Sequence, residues 1–323
     1  MRILNFGSLN IDFTYAVDHI AAPGETIASR SLAVNPGGKG LNQSIALARA
    51  GAPVLHAGQV GPDGGFLVEL LRENGVDMRL LRTSPDVRTG NAIIQTDAQG
   101  QNCIVLYGGA NQAIARDYVD EVLAGMQAGD WLLLQNEISE LAYTVASAHA
   151  RGLRVILNPS PITEDLLALD YSLVDMLILN EIEAAALVGL ELGASGSVPD
   201  DAADIDPVET RLIAGLRERF SGIAVVLTLG ERGSVYIGGC SHGEGALGED
   251  APVRQQAYPV EAVDTTAAGD TYTGYLLAAL AAGETPATAM RLAAAASALA
   301  VTKPGAAPSI PTRADVDAFL QQV

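Results

Sequence analysis

The chain has 323 residues, of which 49% are hydrophobic and 34 are glycine, and its formal net charge is −19. This length and composition fit one large α/β domain or two modest ones, and they are unlike those of a disordered or fibrous chain. The negative charge argues against a nucleic-acid partner or an anionic membrane surface, because both require clustered Lys and Arg.

Cysteine usage and the apolar segments indicate the compartment. Cys103 and Cys240 form no CxxC pair and are expected to be ordinary thiols in a reducing environment. The opening stretch MRILNFGSLNIDF is already an apolar strand and lacks the pattern of a signal peptide. The apolar run at residues 292–301 is shorter than the roughly 20 residues that span a bilayer. We therefore expect a cytoplasmic protein with no membrane partner.

Short apolar strands alternate with helical segments from the N-terminus onward. RILNFG, NQSIALARAG, PVLHAGQVG and GFLVELLRENG predict a β-α-β-α opening, and WLLLQNE, LAYTVASAHARG, RVILNPS, DMLILNE, IEAAALVGL and AVVLTLG continue it. This order predicts a doubly wound, mainly parallel sheet in a single α/β domain over residues 1–323. Ligands of such sheets bind beyond the carboxyl ends of the strands.

Two segments depart from the alternation. Residues 25–38 and 89–109 have strand character without helices, and the second predicts a hairpin around DAQG. We expect a small β-sheet lid formed by about residues 11–38 and 89–109. Residues 195–206 are acidic and are expected to be a solvated connector.

Two polar motifs flank the first predicted helix. Asn10 and Asp12 alternate with apolar residues at the predicted end of the first strand, where they would hold hydroxyl groups of a polyol or form an Asx turn. The GGKG turn at residues 37–40 would offer free N–H groups to a polar or anionic ligand, or would be a flexible turn with an exposed Lys39. Asn42 would then be a helix residue satisfied by solvent.

Further polar groups follow later strands. QNE ends at Glu137, and NEIE starts at Asn180 and ends at Glu183, so both carboxylates are expected near one crevice. Glu183 would hold hydrated Mg²⁺ or close a capping box with Asn180. TLGERG, at residues 228–233, would line a nucleotide phosphate or be a simple hairpin turn.

The stretch VDTTAAGDTYTG contains two aspartates, Asp264 and Asp270, separated by small residues that leave the backbone accessible ahead of a helix. GEGALG at residues 243–248 matches GxGxxG but lacks a surrounding strand and helix, which indicates a surface loop. The four histidines have no metal-ligand spacing, and no GxSxG motif supports a hydrolase triad.

In their order along the chain, these motifs resemble the ribokinase (PfkB-type) family of carbohydrate kinases. PGETI, NPGGKGLNQS, GGAN, QNE, LNPSP, NEIEA, TLGERG, DTTAAGDTYTG and VTKPGAAPSIP all fall in the family's order. The resemblance implies a ribokinase-like fold and an ATP-dependent sugar kinase. NID, GKGLN and the glutamate of QNE are similar to the sugar-binding set of the members that convert D-ribose to D-ribose 5-phosphate.

The resemblance also implies a role for each group. Asp270 would be the general base, and the backbone N–H groups of Ala267, Ala268 and Gly269 would form an anion hole for the phosphoryl group. With Asp270, the sugar-binding residues would be Asn10, Asp12, Gly38, Lys39, Asn42 and Glu137. The ATP-binding residues would be Asn180, Thr228, Leu229, Gly230, Glu231, Arg232, Gly233 and Gly269.

Two ions and a second subunit are implied in the same way. Glu183 would act on Mg²⁺ through water. A monovalent cation, K⁺, would be held by Asp264 with Thr266, Ala300, Lys303, Gly305 and Ser309. The lid would pair between the subunits of a homodimer.

Some residues depart from the family pattern, and alternatives stay open. Thr273 stands where many relatives have Asn, Ala294 stands where some have a His near the adenine, and the acidic residues 238–252 have no assigned role. The acceptor could be another pentose, a ketohexose or a nucleoside, although the aromatic content of 5% argues mildly against a nucleoside. A catalytically silent sugar- or nucleotide-binding regulator is disfavoured by Asp270 and the AAG run, and a dehydrogenase would rest on GEGALG alone.

Overall fold

The computed structural model of the protein describes residues 1–191, 207–238 and 252–323. The predicted acidic connector at residues 195–206, the GEGALG stretch, Cys240 and nearly all of the acidic segment 238–252 lie outside these ranges.

A large sheet forms the centre of the molecule. In the described ranges its strands are β1 (Ile3–Phe6), β4 (Val54–Val60), β5 (Asp77–Thr83), β8 (Trp131–Gln135), β9 (Arg154–Asn158), β10 (Met176–Asn180), β11 (Ala224–Thr228), β12 (Ser234–Ile237) and β13 (Val253–Gln255). They lie in the order β13-β12-β11-β10-β9-β8-β1-β4-β5. All neighbours are parallel except the pairs β11–β12 and β12–β13. The predicted doubly wound, mainly parallel sheet is confirmed.

A second, smaller sheet contains β2 (Asn10–Ala16), β3 (Ser31–Gly37), β6 (Gly90–Thr96) and β7 (Asn102–Tyr107), in the order β3-β2-β6-β7. Strands β6 and β7 are antiparallel and enclose the predicted DAQG turn. The prediction that Asn10 and Asp12 end the first strand is wrong. They begin β2, which pairs with β3 and β6 in the small sheet.

Helices cover both faces of the large sheet. They are α1 (Lys39–Arg49), α2 (Gly65–Glu73), α3 (Arg116–Ala124), α4 (Leu141–Ala150), α5 (Glu164–Leu167), α6 (Glu181–Val188), α7 (Pro207–Arg219), α8 (Ala268–Ala281), α9 (Pro286–Val301) and α10 (Arg313–Leu320). One apolar core lies under α3 to α7, and the other lies under α1, α2, α8, α9 and α10.

The side chains of each central strand alternate between these two cores. In β8, Leu132 and Leu134 pack towards α3 and α4, whereas Trp131 and Leu133 pack towards α1 and α8. A strand with period 2 that is covered on both faces must be apolar throughout, which explains the unbroken WLLL run. Among the described helices, none is long and apolar enough to cross a membrane.

The chain changes direction at β1. From β1 it continues to β4 and β5 on one side of the sheet, and to β8, β9, β10 and β11 on the other. Crevices at the carboxyl ends of strands form at such a switch point. Of the sequence-predicted site residues, Lys39 and Glu137 lie at this point, and a cleft lined by many of the others opens beyond the neighbouring strands.

Candidate active site

A cleft of about 1130 Å³ opens beyond the carboxyl ends of β9, β10 and β11, beside the start of α8. It brings together most of the predicted nucleotide and catalytic residues, from segments far apart in sequence. Those that line it are Lys39, Asn180, Glu183, Thr228, Gly230, Glu231, Gly233, Ala267, Ala268, Gly269 and Asp270, together with Ala294.

Asp270 lies in the first turn of α8 and is largely buried. Its Oδ2 accepts a hydrogen bond from Nδ2 of Asn42 at 2.9 Å, and its Oδ1 accepts one from Nε2 of Gln43 at 2.8 Å. The expectation that Asn42 is satisfied by solvent is therefore wrong. A carboxylate offers about four acceptor positions, so these two bonds leave others for a ligand.

The backbone before Asp270 makes a tight left-handed turn into α8. Ala267 has φ 59°, a conformation that costs a residue with a side chain roughly 1–2 kcal/mol. The N–H of Ala268 donates to the carbonyl of Thr265 at 3.2 Å. Within the described hydrogen bonds, the N–H groups of Ala267 and Gly269 have no such partner. A Cβ on Gly269 would meet no atom within 4 Å, so the space beside this amide is open. Free amides at a helix start are suited to bind an anion.

The GGKG turn uses the amides of Lys39 and Gly40 within the protein. The N–H of Lys39 donates to Oε2 of Glu137 at 3.0 Å, and the N–H groups of Gly40 and Leu41 donate to Oγ and the carbonyl of Ser8 at 3.3 and 2.9 Å. Ser8 Oγ also donates to Glu137. These amides are therefore not free for a ligand, and the turn instead holds Glu137 at the end of β8.

The Lys39 side chain is half-buried and faces three carboxylates. Burial opposes its positive charge, but the negative charges of Asp270, Glu137 and Glu183 outweigh that effect and raise its pKa. The alternative of a flexible turn with an exposed lysine is therefore wrong. The positive charge of Lys39 lies between two parts of the site, one containing Glu137 and the other containing Glu183.

Asn10 and Asp12 are presented by one face of β2. Oδ1 of Asn10 accepts a hydrogen bond from Nδ2 of Asn111 at 2.8 Å, and Asn111 also bonds both backbone groups of Leu9. A Cβ on Gly37 would lie 2.1 Å from Oδ2 of Asp12. The aspartate therefore lies flat against the strand.

The acidity of Asp12 is altered by its surroundings. Burial, and after it the negative charge of Glu137, raises the pKa of Asp12 to about 6. Asp12 thus changes charge in a range where ordinary carboxylates are already ionised.

Asp264 joins two loops behind the first turn of α8. Its Oδ1 accepts from the N–H and Oγ1 of Thr266 at 2.9 and 2.5 Å, and its Oδ2 accepts from the N–H of Gly305 at 2.8 Å. Burial raises the pKa of Asp264, but these hydrogen bonds outweigh burial and hold the pKa below its ordinary value. The carboxylate therefore stays charged and fixes residues 264–266 against the segment after α9.

The remaining predicted cation ligands lie in that segment. The carbonyl of Ala300 accepts from the N–H of Lys303 at 3.1 Å. Ser309 is fully buried, and its Oγ donates to the carbonyl of Ala306 at 2.8 Å. With Asp264, this is an all-oxygen set, which is the donor type that hard cations take.

On the nucleotide side, Asn180 and Glu183 form a complete capping box at the start of α6. Oε2 of Glu183 accepts from the N–H of Asn180 at 2.9 Å. The capping interpretation is correct, yet Glu183 also lines the cleft.

The TLGERG turn joins β11 to β12, as expected for a hairpin. Oγ1 of Thr228 donates to the carbonyl of Leu179 at 3.3 Å, and Arg232 forms an ion pair with Glu181. Leu229 is buried in the core, so it can offer a ligand only its backbone.

Sequence reasoning missed several residues that hold this site together, chiefly Ser8, Gln43 and Asn111. Ser8 and Gln43 lie inside the GSLNID and NPGGKGLNQS motifs, and Asn111 ends GGAN. Their position in these motifs was the available signal, but important partners lie far away in the sequence: Glu137 is 129 residues from Ser8, Leu9 is 102 from Asn111, and Asp270 is 227 from Gln43.

Comparison with known proteins agrees with this geometry. The profile of the pfkB family of carbohydrate kinases matches residues 2–313. A ribokinase from Haemophilus influenzae is 33% identical over 98% of this chain and 97% of its own length. The crystal structure of a ribokinase from Cryptococcus neoformans in complex with ADP superposes with a TM-score of 0.79 at 33% identity, and covers 100% of this chain and 99% of that one. A ribokinase from Arabidopsis thaliana complexed with ribose and ATP superposes with a TM-score of 0.80 at 27% identity, over 99% and 98% of the two chains.

As the predicted sugar ligand, Asp12 would make the sugar KM depend on pH because its pKa is raised. Protonation removes the negative charge of Asp12 and turns one of its acceptor oxygens into a donor, so we expect the sugar KM to rise as pH falls through 6, by about tenfold at pH 5. Steady-state kinetics between pH 5 and 8 with saturating nucleotide measures this. The Asp12→Asn variant should have a high sugar KM that no longer changes over this range.

Folding stability should change in the opposite direction. The folded state binds the Asp12 proton more tightly than the unfolded state, so the wild type should lose stability as pH rises from about 4 to about 6. This loss should be smaller in Asp12→Asn. Equal pH profiles of wild type and variant in both measurements would contradict the assignment.

Proposed function

The chain belongs to the pfkB family of carbohydrate kinases, and from this premise we propose that it transfers the terminal phosphoryl group of ATP to D-ribose. The products would be D-ribose 5-phosphate and ADP. The observation that carries the proposal is the position of Asp270, which bonds the sugar-side residue Asn42 and also lines the nucleotide cleft.

The sugar would lie between Asp12 and Asn10 of the small sheet and Glu137 of the large one. Each has acceptor or donor positions not used within the protein: Glu137 bonds Ser8 and Lys39 through Oε2, which leaves its Oε1. Paired acceptors on two sides of the ring suit neighbouring hydroxyl groups.

In the transfer itself, Asp270 takes the proton of the attacking hydroxyl while that oxygen bonds to the terminal phosphorus and ADP leaves. The protein's contribution is largely positioning and stabilisation of charge. The free amides of Ala267 and Gly269 would stabilise the negative charge of the phosphoryl group, and Lys39 would oppose it between sugar and nucleotide.

ATP would occupy the cleft between the TLGERG turn and α9. Its phosphates would extend from Asn180 and Gly230 towards the first turn of α8. Ala294 leaves room where a larger side chain would approach the base.

Two ions fit the side chains present. Mg²⁺ retains most of its water and takes one or two carboxylates, so Glu183, with Oε1 unused by the capping box, would hold it through water. K⁺ would be held by Asp264 with carbonyls of Thr266, Ala300, Lys303 and Gly305, beside Ser309, because Asp264 is kept ionised among oxygen donors. The cation would add positive charge behind the anion hole.

We further propose that the small sheet is a lid and that two copies of the chain pair through it. Strands β3 and β7 are its outer strands, and their large apolar side chains are about half exposed. These residues are Leu32, Val34, Ile104, Val105, Leu106 and Tyr107. Exposed apolar groups of this number at open sheet edges favour burial against another protein surface.

The decisive test is ADP release across ribose, deoxyribose, fructose, tagatose, adenosine and uridine, with Mg-ATP and with or without K⁺. We expect turnover with ribose, faster with K⁺, and its loss in Asp270→Ala with ATP binding retained. Turnover with another acceptor would keep the mechanism and replace the substrate. A nucleotide-binding protein inactive on every acceptor would contradict the proposal.

Gly269→Ala separates activity from stability. The added methyl group meets no protein atom and Ala favours a helix over Gly by up to about 1 kcal/mol, so the melting temperature should be unchanged or higher. Because the methyl group would fill space beside the anion hole, kcat should fall about 10²- to 10³-fold.

Gly65→Ala is the matched control for that substitution. Gly65 is the first residue of α2, is also exposed, and a Cβ there also meets nothing within 4 Å. This variant should keep full activity. Full activity of Gly269→Ala would show that the phosphoryl group does not bind at this end of α8.

Pairing through the small sheet predicts a dimer that Val105→Lys dissociates. Light scattering after gel filtration should show twice the chain mass for the wild type and for Gln99→Lys, which adds the same charge at the exposed β6–β7 turn. Val105→Lys should elute as a monomer because lysine is costly to bury at an interface. A monomeric wild type would refute pairing.

A further inference from the structure

A network of buried polar side chains lies beneath the floor of the candidate active site, behind Asp270. Its members come from β1, α1, β4 and β8, and none is accessible to solvent: Asn5, Gln43, Ser44, His56 and Gln135. Burying polar groups costs free energy unless each is hydrogen-bonded, and an apolar interior would be simpler to build. This buried network therefore requires a functional explanation.

Gln43 connects this network to Asp270. Its Nε2 donates to Oδ1 of Asp270 at 2.8 Å and to Oδ1 of Asn158, at the end of β9, at 3.0 Å. Its Oε1 accepts from Nε2 of Gln135 at 2.7 Å. Both ends of the Gln43 amide are thus occupied by protein, and Gln43 does not line the cleft.

The hydrogen bonds continue from Gln135 on β8 to Asn5 on β1 and on towards His56 on β4. Nε2 of Gln135 also donates to Oδ1 of Asn5 at 2.9 Å. Nδ2 of Asn5 donates to the carbonyl of Gly40 at 2.7 Å and to Oγ of Ser44 at 2.8 Å. Ser44 Oγ lies 2.8 Å from Nδ1 of His56. Burial lowers the pKa of His56 to about 3, so this end is uncharged at neutral pH.

The charge of Asp270 fixes the direction of the bonds. An ionised carboxylate only accepts, so Gln43 must turn its NH₂ group towards Asp270 and its oxygen towards Gln135. Reversing the Gln43 amide would set oxygen against carboxylate and NH₂ against NH₂. The NH₂ group of Gln135 donates to the oxygens of both Gln43 and Asn5, so reversing the Gln135 amide would set its oxygen against two other amide oxygens.

We propose that Gln43 is a positioning residue for phosphoryl transfer, which fixes the orientation of the Asp270 carboxylate, and that Gln135 and Asn5 in turn orient Gln43. The inference rests on the proposed role of Asp270 as the base. Asn42 and Gln43 each hold one oxygen of Asp270, so together they define the plane of the carboxylate. Both donors are neutral amides, which orient the carboxylate without placing a formal counter-charge on it.

The test compares Gln43→Met with wild type in kcat, sugar KM, sugar affinity without nucleotide, and melting temperature. Met has nearly the shape of Gln and removes its hydrogen bonds. Because Gln43 is fully buried and cannot contact a bound sugar, sugar KM and sugar affinity should change less than about threefold. kcat should fall about 100-fold, since small misplacements of a reacting group have losses of that order.

Two further variants separate positioning from a general loss of packing. Gln135→Met removes the next link without touching Asp270, and should reduce kcat less than Gln43→Met at a similar melting temperature. Tyr118→Phe is the matched control, because it removes buried hydrogen bonds to the backbone of Gly58 and Leu80 that are not part of this network. It should lower the melting temperature and leave kcat unchanged.

The outcomes distinguish this inference from the function it rests on. If Asp270→Ala is inactive but Gln43→Met retains kcat, or loses only as much as Tyr118→Phe, the positioning role is refuted and the base survives. If Gln43→Met raises sugar KM at unchanged kcat, Gln43 acts in binding and the inference is also refuted. If Asp270→Ala retains activity, the proposed base itself is wrong.

Discussion

The site depends on the close crossing of α1 and α8. A Cβ on Gly274 would lie 2.4 Å from Cβ of Ala46, so the two helices can cross at this distance only because residue 274 has no side chain. One turn earlier on each helix stand Asn42 and Asp270, which therefore face each other across the same contact. The hydrogen bonds of Asp270 with Asn42 and Gln43 join residues 228 and 227 apart in sequence. Both the arrangement of the carboxylate and the chain of amides behind it depend on this close crossing.

Much of the architecture is predictable because it is written in local patterns. The unbroken apolar run of β8 and the alternation of strands and helices follow from burial of a parallel sheet on both faces. Capping at Asn180 and Glu183 and the hairpin after Thr228 are likewise local. What local patterns lack is the identity of partners across the sheet. Nothing around Asn10 distinguishes the end of one strand from the start of another in a different sheet, and a Gln after Asn42 on a helix resembles a solvated residue until β8 and β9 are packed beside it.

Structural and ligand-binding interpretations of a polar group are compatible here. Glu183 closes a capping box through one oxygen and turns the other side of its carboxylate to the cleft. Asp264 fixes two loops by accepting three hydrogen bonds, which also keeps it ionised. A carboxylate has more acceptor positions than a single structural bond uses, so the same residue can orient backbone and keep capacity for a ligand. In the GGKG turn, by contrast, the amides of Lys39 and Gly40 are already bonded to Glu137 and Ser8.

The two halves of the proposed sugar site lie on different sheets, which are joined by the connection from β1 to β2. Only Gly7, Ser8 and Leu9 separate a strand of the large sheet from one of the small sheet. Ser8 and Glu137 adjoin the first, and Asn10 and Asp12 belong to the second. In the proposed function, a sugar that bonds both halves would tie the two sheets together, and part of its binding free energy would hold the small sheet in place. Closure of the proposed lid would then exclude water from the reacting phosphoryl group only when a sugar of the right length is bound, which would protect ATP from hydrolysis in its absence.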